Sequence, residues 1–169
     1  MKIVVQRVLQ CSVHVQGRHV SSFDGPGVLA LIGIARGDDA TLVDWAVGKL
    51  LKTRLFDGET GKPWQRSLLD CGATHSVMCV SQFTLFGAPP KGRGHRLDFH
   101  KAMPGPEARV LFDSICARVE ATLTEGKVCV GAFGEDMKVG LINDGPVTLI
   151  FERDVASAAA TDDDDDRGE

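Results

Sequence analysis

Gly27-Val28-Leu29-Ala30-Leu31-Ile32-Gly33-Ile34-Ala35 is apolar on both of its alternating faces. A strand with one wet face alternates apolar and polar residues, so a run without alternation reads as a central strand covered on each side. Upstream, Ile3-Val4-Val5, Val8-Leu9, and then Val13 and Val15 alternating with Ser12, His14 and Gln16 follow a period of two, and Gln16-Gly17-Arg18-His19 supplies a turn. Downstream, Asp38 or Asp39 stands where a helix cap is expected, ahead of residues 40–53, in which Leu42, Trp45, Ala46, Leu50 and Thr53 fall near helical spacing. A helix so placed packs across the sheet.

The same reading extends to the rest of the chain. Asp57-Gly58-Glu59-Thr60-Gly61-Lys62-Pro63 is dense in turn formers and marks a loop, and His75 to Phe83 reads as another buried strand. Residues 87–106 lack periodicity and concentrate four prolines and four glycines, which predicts an ordered surface loop or flap. A second helix opens after Pro106 with Ala108, Leu111, Ile115, Val119 and Leu123 on one face. Strands return at Val128-Cys129-Val130, Met137 to Ile142 and Val147 to Phe151. Strand-rich halves with one main helix each predict a compact single α/β domain whose mixed sheet is strongly curved and barrel-like rather than doubly wound.

Composition sets further bounds. A chain of 169 residues, 43% hydrophobic and 25% charged, fits one globular domain. No apolar run approaches the roughly 18 to 20 residues that span a bilayer, and Arg7 interrupts the apolar start, so a cytoplasmic protein without membrane contact is expected. The net charge of −4 is unevenly placed: residues 156–169 hold six acids and one base, which leaves 18 bases against 17 acids in residues 1–155. Residues 1–155 are thus the expected domain, and 156–169, with nothing apolar larger than alanine, the expected disordered acidic tail. Cys11, Cys71, Cys79, Cys116 and Cys129 are an odd set without CxxC spacing, and are read as reduced core residues.

Several stretches invite chemistry and each has a plainer reading. Ser81-Gln82-Phe83-Thr84-Leu85 ends an apolar strand in hydrogen-bonding side chains beside a glycine- and proline-rich loop, either as a strand surfacing or as a scaffold presenting reactive groups. Ser81 lacks the Gly-x-Ser-x-Gly elbow of a hydrolase nucleophile. Asn143-Asp144-Gly145-Pro146 reads as an ordinary turn between two strands, although Gly145 permits close backbone approach and a cis bond before Pro146 points two successive carbonyls in a similar direction. His14, His19, His75, His95 and His100 fit no ligand spacing and are read as surface or loop residues, so no metal is expected. Lys91, Arg93, Arg96 and Lys101 make a basic stretch that suits phosphates or plain solvation equally.

Val5-Gln6-Arg7-Val8, Ser81 to Leu85, Phe133-Gly134-Glu135-Asp136-Met137 and Asn143 to Thr148, in this order, resemble the D-aminoacyl-tRNA deacylase (D-tyrosyl-tRNA deacylase) family over about residues 1–152. The resemblance implies a cofactor-free homodimer that hydrolyses the ester joining a D-amino acid, or glycine, to tRNA. It implies that Ser81, Gln82, Phe83 and Thr84 form the catalytic floor of the pocket, and that Gly145 and Pro146 reach into it from the other subunit with a cis peptide. Val147, Met137 and Arg7 are then expected to complete substrate binding, with Arg7 holding the Gly-Pro loop. Two departures stand out. The family continues from its Lys-Gly loop into Arg-Pro-Ser-Phe, where this chain reads Lys91-Gly92-Arg93-Gly94-His95-Arg96-Leu97-Asp98-Phe99, and the Asp-rich tail is foreign to the pattern. A non-catalytic nucleic-acid-binding dimer is the alternative, against which the near-neutral body counts.

Overall fold

The computed structural model describes residues 1–89 and 96–158. Its framework is a long antiparallel hairpin, β1 (Lys2–Val15) and β2 (Arg18–Gly33), paired from Lys2 with Gly33 to Val15 with Arg18. Gln16 and Gly17 both have positive φ, at +51° and +78°. That is the two-residue turn whose twist suits a tight hairpin. Helix α1 (Thr41–Lys52) and the short α2 (Leu68–Cys71) then lead to β3 (Ser76–Ser81), parallel to β2, and α3 (Gly105–Thr122) leads to β4 (Lys127–Val130), parallel to β3. Strand β5 (Met137–Glu152) returns antiparallel to β1, giving the order β4-β3-β2-β1-β5. The central strand is therefore β2, whose Gly27 to Ile32 pair with both neighbours. A last helical turn, α4, spans Val155–Ala158.

Both faces of β2 are covered, as its sequence requires. On one face Val28, Ala30 and Ile32 join Leu42, Ala46 and Leu50 of α1 and Phe112, Ile115 and Val119 of α3 in the main core. On the other, Leu29 meets Val8, Cys11, Val13, Phe23, Met78, Val80 and Cys129 in a second core. Among the described residues no helix contributes to this second core. It forms because the register shifts at Leu9, which stands against Gly25 and Pro26 of β2 and is the extra residue of β1 against β5, and the far half of the hairpin curls over the sheet. Ser21 Oγ donates to the Val130 carbonyl at 2.8 Å and Lys127 Nζ to the Ser22 carbonyl at 2.8 Å, so β2 reaches β4 through side chains. Among the described residues no backbone ladder joins β2 to β4. The barrel-like expectation is thereby corrected: the five-stranded sheet is curled but open.

Three further expectations change. The runs around Ile3, Val8 and Val13 belong to one continuous strand, and Met137–Ile142 and Val147–Phe151 likewise belong to β5, so Asn143 to Pro146 is not a turn between strands. The cap position of α1 is Ala40; Asp39 accepts from the Thr41 N–H at 2.9 Å, while Asp38 is buried against the Met1 ammonium at 2.9 Å and the Ala35 N–H at 2.7 Å. His75 is buried rather than exposed, edge-on to Phe56 at 4.3 Å between ring centres and bonded to Thr74 Oγ1. All five cysteines are free and buried, and burial pushes the Cys11 thiol up to about 11. Among the described residues no helix is long and apolar enough to cross a membrane. Lys91 and Arg93 of the basic stretch, His95, and tail residues 159–169 lie outside the described residues.

Candidate active site

Strand β3 ends at Ser81, and the chain turns at once into a 3-10 helix, Phe83–Phe86. Strand pairing fixes the point of departure. Gln82 N–H donates to the Ile32 carbonyl at 2.8 Å, extending the pairing with central β2 by one bond before Leu85 N–H closes the turn on the Gln82 carbonyl at 3.3 Å. A helical turn leaves its first N–H groups without internal acceptors. Those of Phe83 and Thr84 meet no acceptor among the described residues. The Gln82 side-chain amide donates to Thr84 Oγ1, so the two polar side chains satisfy each other.

Two cavities flank this turn. One, about 300 Å3, is largely apolar: Ser81, Gln82 and Phe83 face Ile34, Phe99, Met103 and Phe133. Phe83 is 58% exposed and meets Phe99 edge-to-face at 5.2 Å, so the two rings form an open aromatic wall. The other cavity, about 410 Å3, places the same Ser81, Gln82 and Phe83 against Glu135, Asp136 and Met137. Asp136 pairs with Lys138 at 3.0 Å. Met137 is thus brought to the floor residues. Among the described residues no group of three His, Cys, Asp or Glu is placed to hold a metal ion.

Gly145, Pro146, Val147 and Arg7 assemble elsewhere. Gln6 pairs with Thr148 and Val8 with Asn143, so the four residues 144–147 of β5 bulge opposite Arg7 alone. Within the bulge Gly145 has φ +114° and the Gly145-Pro146 bond is cis. Both residues are exposed, whereas Val147 turns inward onto the main core. Arg7 supports the bulge from behind: its Nη1 donates to the Leu55 carbonyl at 2.7 Å and its Nε lies 2.9 Å from Asp144 Oδ2. Neither cavity beside Ser81 includes Gly145 or Pro146. One chain therefore does not bring the two halves of the expected site together.

Sequence reasoning missed Phe99, Met103 and Phe133 in the apolar wall, and Trp64 beside Arg7. Phe133 was signalled by its place in a recognisable motif, but Phe99 and Trp64 lie in aperiodic loops, where pattern says nothing of direction.

Unpaired backbone donors at Phe83 and Thr84 beside an open pocket fit a hydrolase. The description of the family model that matches residues 4–152 is D-Tyr-tRNA(Tyr) deacylase, and the chain belongs to this family. It is 42% identical over 154 residues to the D-aminoacyl-tRNA deacylase of Yarrowia lipolytica, covering 90% of this chain and 97% of that one. It is 38% identical over 162 residues to D-aminoacyl-tRNA deacylase 1 of Mus musculus, covering 96% and 75%. Among solved structures it is similar to the c-Myc DNA Unwinding Element Binding Protein, with TM-score 0.79, 37% identity and coverage of 90% and 99%.

Proposed function

We propose that this chain hydrolyses the ester of D-aminoacyl-tRNA, and of glycine mischarged on tRNA, to free tRNA and amino acid, as a chiral proofreading step of cytoplasmic translation. The observation that carries the reading is the unbonded N–H of Phe83, a residue shared by the two cavities, with the unbonded N–H of Thr84 next to it in the same 3-10 turn. Water attacks the ester carbonyl, whose oxygen takes the negative charge and is met by those donors. The bond to the ribose oxygen then breaks, the ribose oxygen takes a proton, and the acid is released. Loss of one well-placed donor of this kind typically costs about 2.7–4 kcal/mol of transition-state stabilisation. Thr84 as nucleophile is disfavoured: its hydroxyl accepts from Gln82, and no His, Asp or Glu side chain is bonded to it among the described residues.

The enzyme acts as a homodimer with its sites at the subunit interface. Supporting this, β5 is a 16-residue edge strand with Ile142 52% and Ile150 70% exposed, an edge and an apolar surface that a second copy would cover. Gly145 and Pro146 are exposed on the same strand, and neither lines the two cavities beside their own Ser81. Reaching into the partner's pocket, their carbonyls accept hydrogen bonds from the substrate α-ammonium. An L side chain is then driven into backbone, a D side chain points to solvent, and glycine has nothing to exclude.

A second reading, a nucleic-acid-binding dimer without catalysis, is favoured by the name of the similar DNA-unwinding-element-binding protein. Incubation with D-aminoacyl-tRNA and quantitation of released amino acid separates the two. Turnover supports the deacylase, and binding of tRNA without turnover supports the alternative.

A further inference from the structure

Among the described residues only two non-glycine residues have positive φ, and Gln16 is accounted for by the β1–β2 turn. The other is Trp64, at φ +61°. A bulky side chain in the left-handed region is a costly backbone choice, which calls for a compensating contact. Core burial is not that contact, since Trp64 is 49% exposed. Nor does the surrounding hairpin depend on the indole. It is held by backbone bonds, Leu55 and Phe56 N–H to the Arg66 carbonyl at 3.0 Å and Gln65 N–H to the Phe56 carbonyl at 2.9 Å.

The ring faces the Arg7 guanidinium, 5.8 Å from its centre. Arg7 is the brace of the Gly-Pro bulge, and its own anchorage is incomplete. The Asp144 carboxylate lies 2.9 Å from Nε but off the N–H axis, so the pair is ionic without an aligned hydrogen bond. A firm directional bond comes from Nη1 to the Leu55 carbonyl, at the base of the hairpin that carries Trp64. Nη2 meanwhile lies 3.4 Å from where a Cβ on Gly145 would stand. One hairpin thus holds Arg7 at two points, and Arg7 pairs with Asp144 and stands beside Gly145.

We infer that Trp64 is a positioning residue of the chirality filter: its indole closes the solvent side of the Arg7 guanidinium and keeps it pressed against the bulge. The inference rests on the proposed role of Gly145-Pro146. Trp64 itself touches no substrate. Its strained backbone is the consequence of aiming a large ring back across the hairpin at Arg7.

The test uses the full chain with Trp64→Gly, Trp64→Phe and, as a control on the filter, Gly145→Ala, reading melting temperature and initial rates on D- and L-aminoacyl-tRNA. Glycine adopts φ +61° without strain, so Trp64→Gly is expected to keep or raise the melting temperature. The D/L rate ratio is expected to fall about two- to five-fold, the factor to which an exposed cation–π contact of about 0.5–1 kcal/mol converts. Trp64→Phe keeps a ring and should retain most of the ratio. An unchanged ratio in Trp64→Gly, with the ratio altered in Gly145→Ala, overturns the positioning role and leaves the filter standing. An unchanged ratio in both overturns the filter as well. A Trp64→Gly chain that loses stability and both rates in proportion marks the ring as structural and also overturns the inference.

Discussion

Replacing Gly145 by valine tests the bulge where it has least room. At φ +114° a β-branched residue sits in a region that L side chains rarely adopt, at a cost of about 1–3 kcal/mol. Its Cβ would stand 2.8 Å from Val147 Cγ2 and 3.0 Å from the Val147 backbone nitrogen. Val147 is packed on the main core and does not simply swing aside, which adds an overpacking cost of about 1–3 kcal/mol. The sum, about 2–6 kcal/mol, exceeds what a partly exposed ion pair such as Arg7–Asp144 supplies, typically about 0–1 kcal/mol. The bulge should therefore shift instead of absorbing the strain. Because Gly145 is an exposed residue of an edge strand and belongs to neither core, folding should survive. A displacement of 1 Å at a reacting site can cost roughly 100-fold in rate. Hydrolysis of D-aminoacyl-tRNA should fall by at least that factor, with melting temperature and sedimentation recorded on the same preparation. A folded Gly145→Val dimer that keeps its rate and its D/L selectivity would refute the reasoning.

Thr84→Ala removes the hydroxyl and leaves the N–H in place, so partial activity is expected; total loss in a well-folded dimer would point to Thr84 as nucleophile. His75 is held below its ordinary value of 6.5 by burial and then by the Arg66 guanidinium. The unfolded chain accordingly binds the proton first, so stability is full above about pH 6.5 and declines as pH falls through that value toward the lower folded pKa. Urea unfolding at pH 7.5 and 5.5 should show this decline, and His75→Gln should reduce it; an undiminished slope in the variant would assign it to other groups. Removing residues 159–169 should leave melting temperature and turnover nearly unchanged, since that segment offers nothing for a core, and a large fall in either would contradict this.

What the sequence disclosed followed the reach of its periodicities. The doubly apolar run at Gly27 to Ala35 announced β2 as central, and the helical spacings at Leu42 to Leu50 and Ala108 to Val119 announced the two main helices. Curvature was legible only in part, because the register shift at Leu9 and the side-chain bonds from Ser21 and Lys127 are tertiary events with no local signature. The Asn143 to Pro146 stretch misled for a physical reason. Asn, Asp, Gly and Pro favour turns locally, but a partner strand can absorb them as a bulge, and β1 does so opposite Arg7. The floor residues were visible as motif members. Backbone donors near Phe83 and Thr84 were expected with them; that these N–H groups go without acceptors among the described residues follows only from the 3-10 turn after Gln82.

The central claim is that Ser81 to Thr84 of one subunit act with Gly145-Pro146 of the other, and subunit mixing tests it most directly. One chain carries Gly145→Val and keeps its floor; a second carries Ser81→Phe, which fills the cavities on either side of Ser81, and keeps its bulge. Each homodimer alone should be inactive on D-aminoacyl-tRNA. Mixed dimers join an intact floor to an intact bulge across the interface, so activity should reappear on mixing, up to about half of the unmodified dimer per mixed dimer. Two inactive homodimers that exchange subunits and stay inactive would contradict the composite site.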